Sequence, residues 1–270
     1  MRRTPRTAPP TAPAAVLVAL LGAAALAAAP AAAQAPTAPR DVADQPTAWL
    51  MYFGDHAVSR RWALHAEAQV RRAEGVLGAE TWQQLLLRPG VIYTVSPNLR
   101  LTAGYAFIET WPYGEQPARA RFPEHRLWQQ AQLTHATGRV QWQHRYRFEQ
   151  RFVSVPLAAA AGGAGGSDDV YTNRGRYLVR ASVPLRGRTL AVGAPYASAY
   201  NEVFVNWGRN VQRNTFDQNR LYGALGWRLT PGTRVEAGYL QQLIAKPNGV
   251  QLERNHSLQL AVFQNSPLRR

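Results

Sequence analysis

The chain has 270 residues, 46% of them hydrophobic and 17% charged, with no cysteine and a formal net charge of +15. The absence of cysteine excludes a disulfide scaffold and thiol chemistry. So basic a chain suits nucleic acid, acidic polymers or phosphate-rich lipid, but its cations are almost all arginine, with Lys246 the single lysine. They alternate one by one with apolar residues instead of forming a patch, which argues against nucleic acid.

In chain order, Arg2, Arg3 and Arg6 precede an apolar stretch from Ala14 to Ala29, followed by Ala31, Ala32 and Ala33. This is the form of a secretory signal peptide cleaved after Ala33, too short for the roughly 20 residues of a spanning helix. Its removal takes three arginines and leaves a net charge of +12. The expected organisation is a leader at 1–33, a short N-terminal segment at 34–47 and one barrel domain at 48–270. Beyond the leader there is no second apolar run of 18 residues or more, so no transmembrane helix is expected.

The mature sequence alternates instead. In WALHAEAQVRR, Trp62, Leu64, Ala66, Ala68 and Val70 share one face, and His65, Glu67, Gln69 and Arg71 the other. LRLTAGYAF sets Leu99, Leu101, Ala103, Tyr105 and Phe107 against Arg100, Thr102 and Gly104. RVQWQHRYRFEQRF sets Val140, Trp142, His144, Tyr146 and Phe148 against Gln141, Gln143, Arg145, Arg147, Glu149 and Arg151. RLYGALGWRL, TRVEAGYLQQL and HSLQLAVFQ repeat the pattern, with small residues such as Gly104 and Gly226 on the polar side. A period of two selects strands with two unlike faces.

Tight turns alternate with longer links. VSRR, SPN, TGR, PLRGR and TPGT fall on one side, and AEGVLGAE, WPYGEQPARARFP, SVPLAAAAGGAGGSDD, GRNVQRNT and AKPNGVQLE on the other. The pattern predicts an all-β, antiparallel up-and-down transmembrane β-barrel of about 10–12 strands, with apolar faces to lipid and polar faces to the lumen. A periplasmic β-sandwich also alternates, but it does not call for Trp and Tyr near strand ends. Eleven segments are counted, whereas a single-chain bacterial barrel normally has an even number. One segment is therefore expected to be miscounted or missing, with AWLMYFG and the Pro195-containing LAVGAPYASAYNEVFVNW the weakest.

Several phrases, HRLWQQ at 125–130, RYRFEQRF at 145–152, RGRYLVR at 174–180, YNEVFVN at 200–206 and FDQNRLYGALGW at 216–227, together resemble an uncharacterised bacterial outer-membrane barrel family, domain of unknown function 2490. The resemblance implies a signal-bearing barrel in the outer membrane of a Gram-negative cell and brings no catalytic residue with it.

The candidate site is a lumen-facing network of Glu67, Glu124, Arg126, Arg145, Arg147, Glu149, Arg151, Glu202 and Arg220. Opposed rows of charge either select and hold a small anionic or polar solute, or pair with one another and close the lumen of a structural, envelope-maintaining barrel. In the closed case Arg147 is the expected partner of Glu149 or another carboxylate. Outer-membrane lipid and lipopolysaccharide are the other expected partners. No enzyme, cofactor or metal is expected. Asn255, His256 and Ser257 are consecutive on a strand, so base and nucleophile point apart, and the histidines lack metal-ligand spacing. AGGAGG at 161–166 lacks the lysine of a phosphate loop and reads as a surface loop.

Overall fold

The computed structural model describes residues 39–75, 77–157 and 166–268. The leader and all but the last residue of AGGAGG lie outside this set. Among the described residues there are eleven strands and no helix: β1 (Asp41–Ala57), β2 (Trp62–Ala73), β3 (Thr81–Ser96), β4 (Leu99–Thr110), β5 (Phe122–Thr137), β6 (Val140–Pro156), β7 (Ser167–Pro184), β8 (Pro195–Trp207), β9 (Phe216–Arg228), β10 (Thr233–Ala245) and β11 (Gln251–Asn265). Each pairs antiparallel with its neighbours in sequence, and β1 closes the ring on β11.

That closure corrects two expectations. The count of eleven needs no missing strand, and the sheet is not antiparallel throughout. In an odd-numbered meander the first and last strands run the same way, so the seam is parallel, in unbroken register from Asp41↔Gln251 to Asp55↔Asn265. Both doubtful segments are strands. β1 begins at Asp41, ahead of the boundary placed at residue 48, and Pro195 opens β8, a position where its missing N–H costs no ladder bond. The turn written as PLRGR extends over 185–194, tied by the Leu185 N–H to the Pro195 carbonyl at 3.0 Å.

Lateral partners stepped round the ring from Asp44 pass through Arg254, Leu243, Asn219, Val203, Tyr177, Tyr146, Ala131, Leu101 and Tyr93 to Trp62. Trp62 adjoins Ala63, the partner of Ala57. A path that left β1 near its start thus returns near its end, the stagger that goes with tilted strands in a closed barrel. One end carries the links 58–61, 97–98, 138–139, 185–194 and 229–232 and the end of β11. The other carries 74–80, 111–121, 157–166, 208–215 and 246–250 and the start of β1. These are called below the tight-turn end and the long-loop end.

The two faces have opposite chemistry. Outside, Tyr146 is 50% exposed, Leu258 53% and Leu50 57%. Inside, Glu149, Asn255 and Ser257 are wholly buried. The interior is not purely polar, because Trp49, Met51, Tyr222, Leu240 and Ala261 form one apolar cluster and Leu86, Ala106, Ile108 and Trp128 another. Trp128 has room because glycines face it: a Cβ on Gly90 would stand 2.9 Å from its ring and one on Gly104 3.0 Å. Gly226 does the same for Tyr196, which lies across it. Small residues on the inward face therefore make space for large ones on neighbouring strands.

Candidate functional site

The alternation of β6 turns Arg145, Arg147, Glu149 and Arg151 inward, and RGRYLVR on the adjacent β7 turns Arg174, Arg176 and Arg180 to meet them. Glu149 is the hub. Arg174 donates to it from Nη2 at 2.5 Å and Nε at 2.9 Å, and Arg176 from Nη1 at 2.7 Å. Arg126 and Arg88 stand 3.7 Å away and Arg147 3.9 Å. Most of these guanidiniums hold a second carboxylate: Arg174 reaches Asp217, Arg176 reaches Glu202, Arg126 reaches Glu124 and Arg88 reaches Glu67. Glu124 also takes Arg151, and Glu202 takes Arg145 at 2.7 Å with Arg220 at 3.8 Å.

All nine candidate residues thus face the interior and belong to one connected set of ion pairs. Arg147 pairs with Glu149 as expected, but only at 3.9 Å and without a hydrogen bond. Its Nε and Nη2 donate to Gln130 at 2.9 and 2.7 Å, so a neutral amide holds it and Glu149 depends on Arg174 and Arg176 instead. The reason is steric order on the sheet: Arg147 and Glu149 share one strand face, while Arg174 lies directly across from Glu149 on β7.

Sequence reading missed Arg88, Arg174, Arg176, Arg180, Asp217, Arg234 and Glu236. RGRYLVR carried the signal, since its arginines alternate with Gly175, Tyr177 and Val179 as clearly as those of β6. Arg88 was hidden behind Leu85, Leu86 and Leu87, where the β2–β3 pairing shifts register nearby and the period of two breaks. Glu236 accepts from Arg180 and, at 2.8 Å, from the Tyr196 hydroxyl.

The interior has three levels. At the long-loop end the β4–β5 link lies across to the seam strands: Tyr113 donates its hydroxyl to Glu253, which Lys246 also holds at 2.6 Å, and the Gly114 N–H donates to Glu74 at 2.8 Å. Burial and the adjacent Glu253 carboxylate push the Tyr113 phenol well above its usual value, so it is a neutral donor. The Glu149 hub fills the middle. Towards the tight-turn end a vestibule of about 500 Å³ opens, lined by eight arginines and only three carboxylates, Asp55, Glu67 and Glu202.

The model of a family described as "Protein of unknown function (DUF2490)" matches residues 47–253. The chain belongs to that family. The DUF2490 match runs from Thr47 on β1 to Glu253 on β11, and so takes in the Glu149 hub and all nine candidate residues. No curated protein and no solved structure matches the chain.

The other weighed motifs also have definite places. Ser257 points inward to Thr47, while His256 points outward to Asp44 and Tyr239, so the two do not meet. Among the described residues no group of three or more His, Cys, Asp or Glu has metal-binding geometry.

Proposed function

We propose that the chain is an outer-membrane β-barrel of a Gram-negative bacterium, exported with a leader cleaved after Ala33, whose interior is closed to through-passage and holds a small anionic or polar solute at one end. The observation that carries this reading is the inverted polarity of the wall. Glu67, Arg88, Glu124, Arg126, Arg147, Glu149, Arg174, Arg176 and Glu202 lie inside with under a tenth of their surface exposed, and large apolar side chains stand outside on every strand. In water such a surface is one continuous apolar patch, far beyond what soluble monomers show. In a bilayer it is the required arrangement. Trp82 and Trp207 lie towards the long-loop end and Trp62 and Trp227 towards the tight-turn end, as interfacial aromatic belts do.

Lipid and lipopolysaccharide are then the partners of the outer face, and with the arginines of the Glu149 network turned inward no nucleic-acid partner is proposed. The Glu149 hub and the Tyr113 latch favour a holding barrel over a channel, because buried guanidinium and carboxylate groups satisfy one another where water would otherwise run. With short turns on the periplasmic side, the vestibule faces the periplasm. The reading is non-enzymatic, in keeping with the separation of Ser257 from His256 across the wall.

The test combines fractionation with planar-bilayer recording. We expect the protein in the outer-membrane fraction, beginning at Gln34, with heat-modifiable mobility and no steady current. Large stable currents, or recovery as a soluble periplasmic protein, would overturn the reading.

A further inference from the structure

The vestibule is unbalanced in both charge and hydrogen bonding. Its three carboxylates are already shared: Glu202 between Arg145, Arg176 and Arg220, Glu67 with Arg88, and Asp55 between Arg100 and His65. Arg147, whose side chain is only 2% exposed, leaves Nη1 without a hydrogen-bond partner, and Nε of Arg145, Arg220 and Arg234 is likewise unsatisfied. Arg234 has no carboxylate within 4.0 Å among the described residues. Buried guanidinium donors left unmatched are costly, and an oxyanion is the group whose geometry matches their planar fork.

Part of the same lining is aromatic. Phe53 and Phe263 stack at 5.0 Å with an 11° interplanar angle, Tyr200 packs on Tyr222 at 4.7 Å, and the Arg234 guanidinium lies 4.3 Å over the Phe263 ring. Phe53, Tyr200 and Phe263 are only partly buried and border the vestibule.

From this juxtaposition we propose that the vestibule binds a small amphipathic organic anion. Its phosphate or carboxylate head is received by Arg145, Arg147 and Arg234, and its aromatic or short aliphatic body lies against Phe53, Tyr200 and Phe263. The inference names the ligand class for the holding barrel proposed above and rests on that reading. A volume of about 500 Å³ suits a body of one or two rings and excludes a polymer.

The experiment is calorimetric titration of the whole protein in lipid nanodiscs, with empty nanodiscs subtracted. Four probes are used: phenyl phosphate, benzoate, inorganic phosphate and benzyl alcohol. At least one aryl anion should bind with submillimolar affinity, more tightly than inorganic phosphate or benzyl alcohol, and whichever of the two binds better identifies the head. Arg234→Gln leaves no carboxylate unpaired and Arg145→Gln leaves Glu202 with Arg176, so both variants should fold. Each should weaken the aryl anion roughly tenfold, and Phe263→Ala should weaken it without changing inorganic phosphate. Arg121→Gln, at the long-loop end, should bind as the wild type does. The inference is overturned if neither aryl anion binds at millimolar concentration, if both arginine variants bind as the wild type does, or if benzyl alcohol binds equally well. Conductance of the same preparation separates the two levels. A silent barrel that binds nothing sinks only the inference, and a conducting barrel sinks the closed-interior reading whatever it binds.

Discussion

Replacing Glu149 with glutamine keeps the shape of the hub and removes its charge. Five guanidiniums lie within 3.9 Å of this carboxylate, which is wholly buried. Removing one partner of a buried ion pair costs about 3–5 kcal/mol, because the remaining charge is stranded in a poor solvent. Here the loss is cushioned, since Arg174, Arg176, Arg126 and Arg88 each keep another carboxylate at 2.9, 2.8, 2.5 and 2.6 Å. Arg174 and Arg176 donate to different oxygens, so glutamine keeps a neutral acceptor for one and turns an NH2 towards the other, about 1–2 kcal/mol for each residue, and the screening of mutual repulsion among the arginines is lost as well. Glu149→Gln should therefore destabilise by about 3 kcal/mol, and Glu149→Leu, which removes the remaining acceptor as well, by about 5 kcal/mol. Arg147→Gln in the Glu149→Gln background should restore about 1 kcal/mol, because neighbours in one network couple. Reversible urea unfolding in lipid vesicles, followed by tryptophan emission, measures all three. A Glu149→Gln protein within 1 kcal/mol of the wild type would show that the hub is a crowd of independent pairs and refute the reasoning.

Two further outcomes are expected. On β6, Phe148 stacks outside on Trp207 at 5.5 Å while Gln143 bonds inside to Gln132, so Phe148→Arg should impair membrane assembly and Gln143→Arg should not; arginine at the midplane of a barrel's lipid face costs about 2–4 kcal/mol. Equal yields of the two in the outer membrane would reverse the facing. At the long-loop end, Tyr113→Phe should loosen the β4–β5 link by about 1–2 kcal/mol and speed tryptic cleavage at Arg119 and Arg121. Because burial beside Glu253 raises the folded phenol above its unfolded value of 10.0, the latch is at full strength below that pH and weakens as the pH climbs past it. Cleavage that is insensitive to alkaline pH would remove Tyr113 from the latch.

The wall was legible in the sequence because a strand's period of two is imposed by the backbone and survives any partner. Thus Trp142, Tyr146 and Phe148 were separated from Arg145, Arg147 and Glu149 without a structure. The partners inside were not legible, because they depend on which strands adjoin and in what register. Arg174 meets Glu149 only because β6 and β7 pair with those two residues opposite, and Asp217 joins them although the β8–β9 register shifts near it. Tyr113 comes from a link with no period at all, and its partner Glu253 is far along the chain. Closure was misjudged for a related reason: the even-number rule describes how such chains usually close, whereas a ring of hydrogen bonds needs only that the last edge find the first.

The parallel seam has a consequence for how the molecule comes together. β1 runs from the long-loop end to the tight-turn end, and so does β11, so Asp41 and Asn265 sit at opposite rims. Strands joined in pairs by hairpins enter a bilayer as loops, each carrying two strands across together. An unpaired first strand has no such companion, and in the proposed membrane its leading end must travel to the far side alone. Parallel bonds, slanted and slightly weaker per residue, make the join between β1 and β11 the natural place for the ring to reopen. Outside that join, Asp44 clasps Arg254 at 2.5 Å and His256 at 3.0 Å, a buckle across the point of entry.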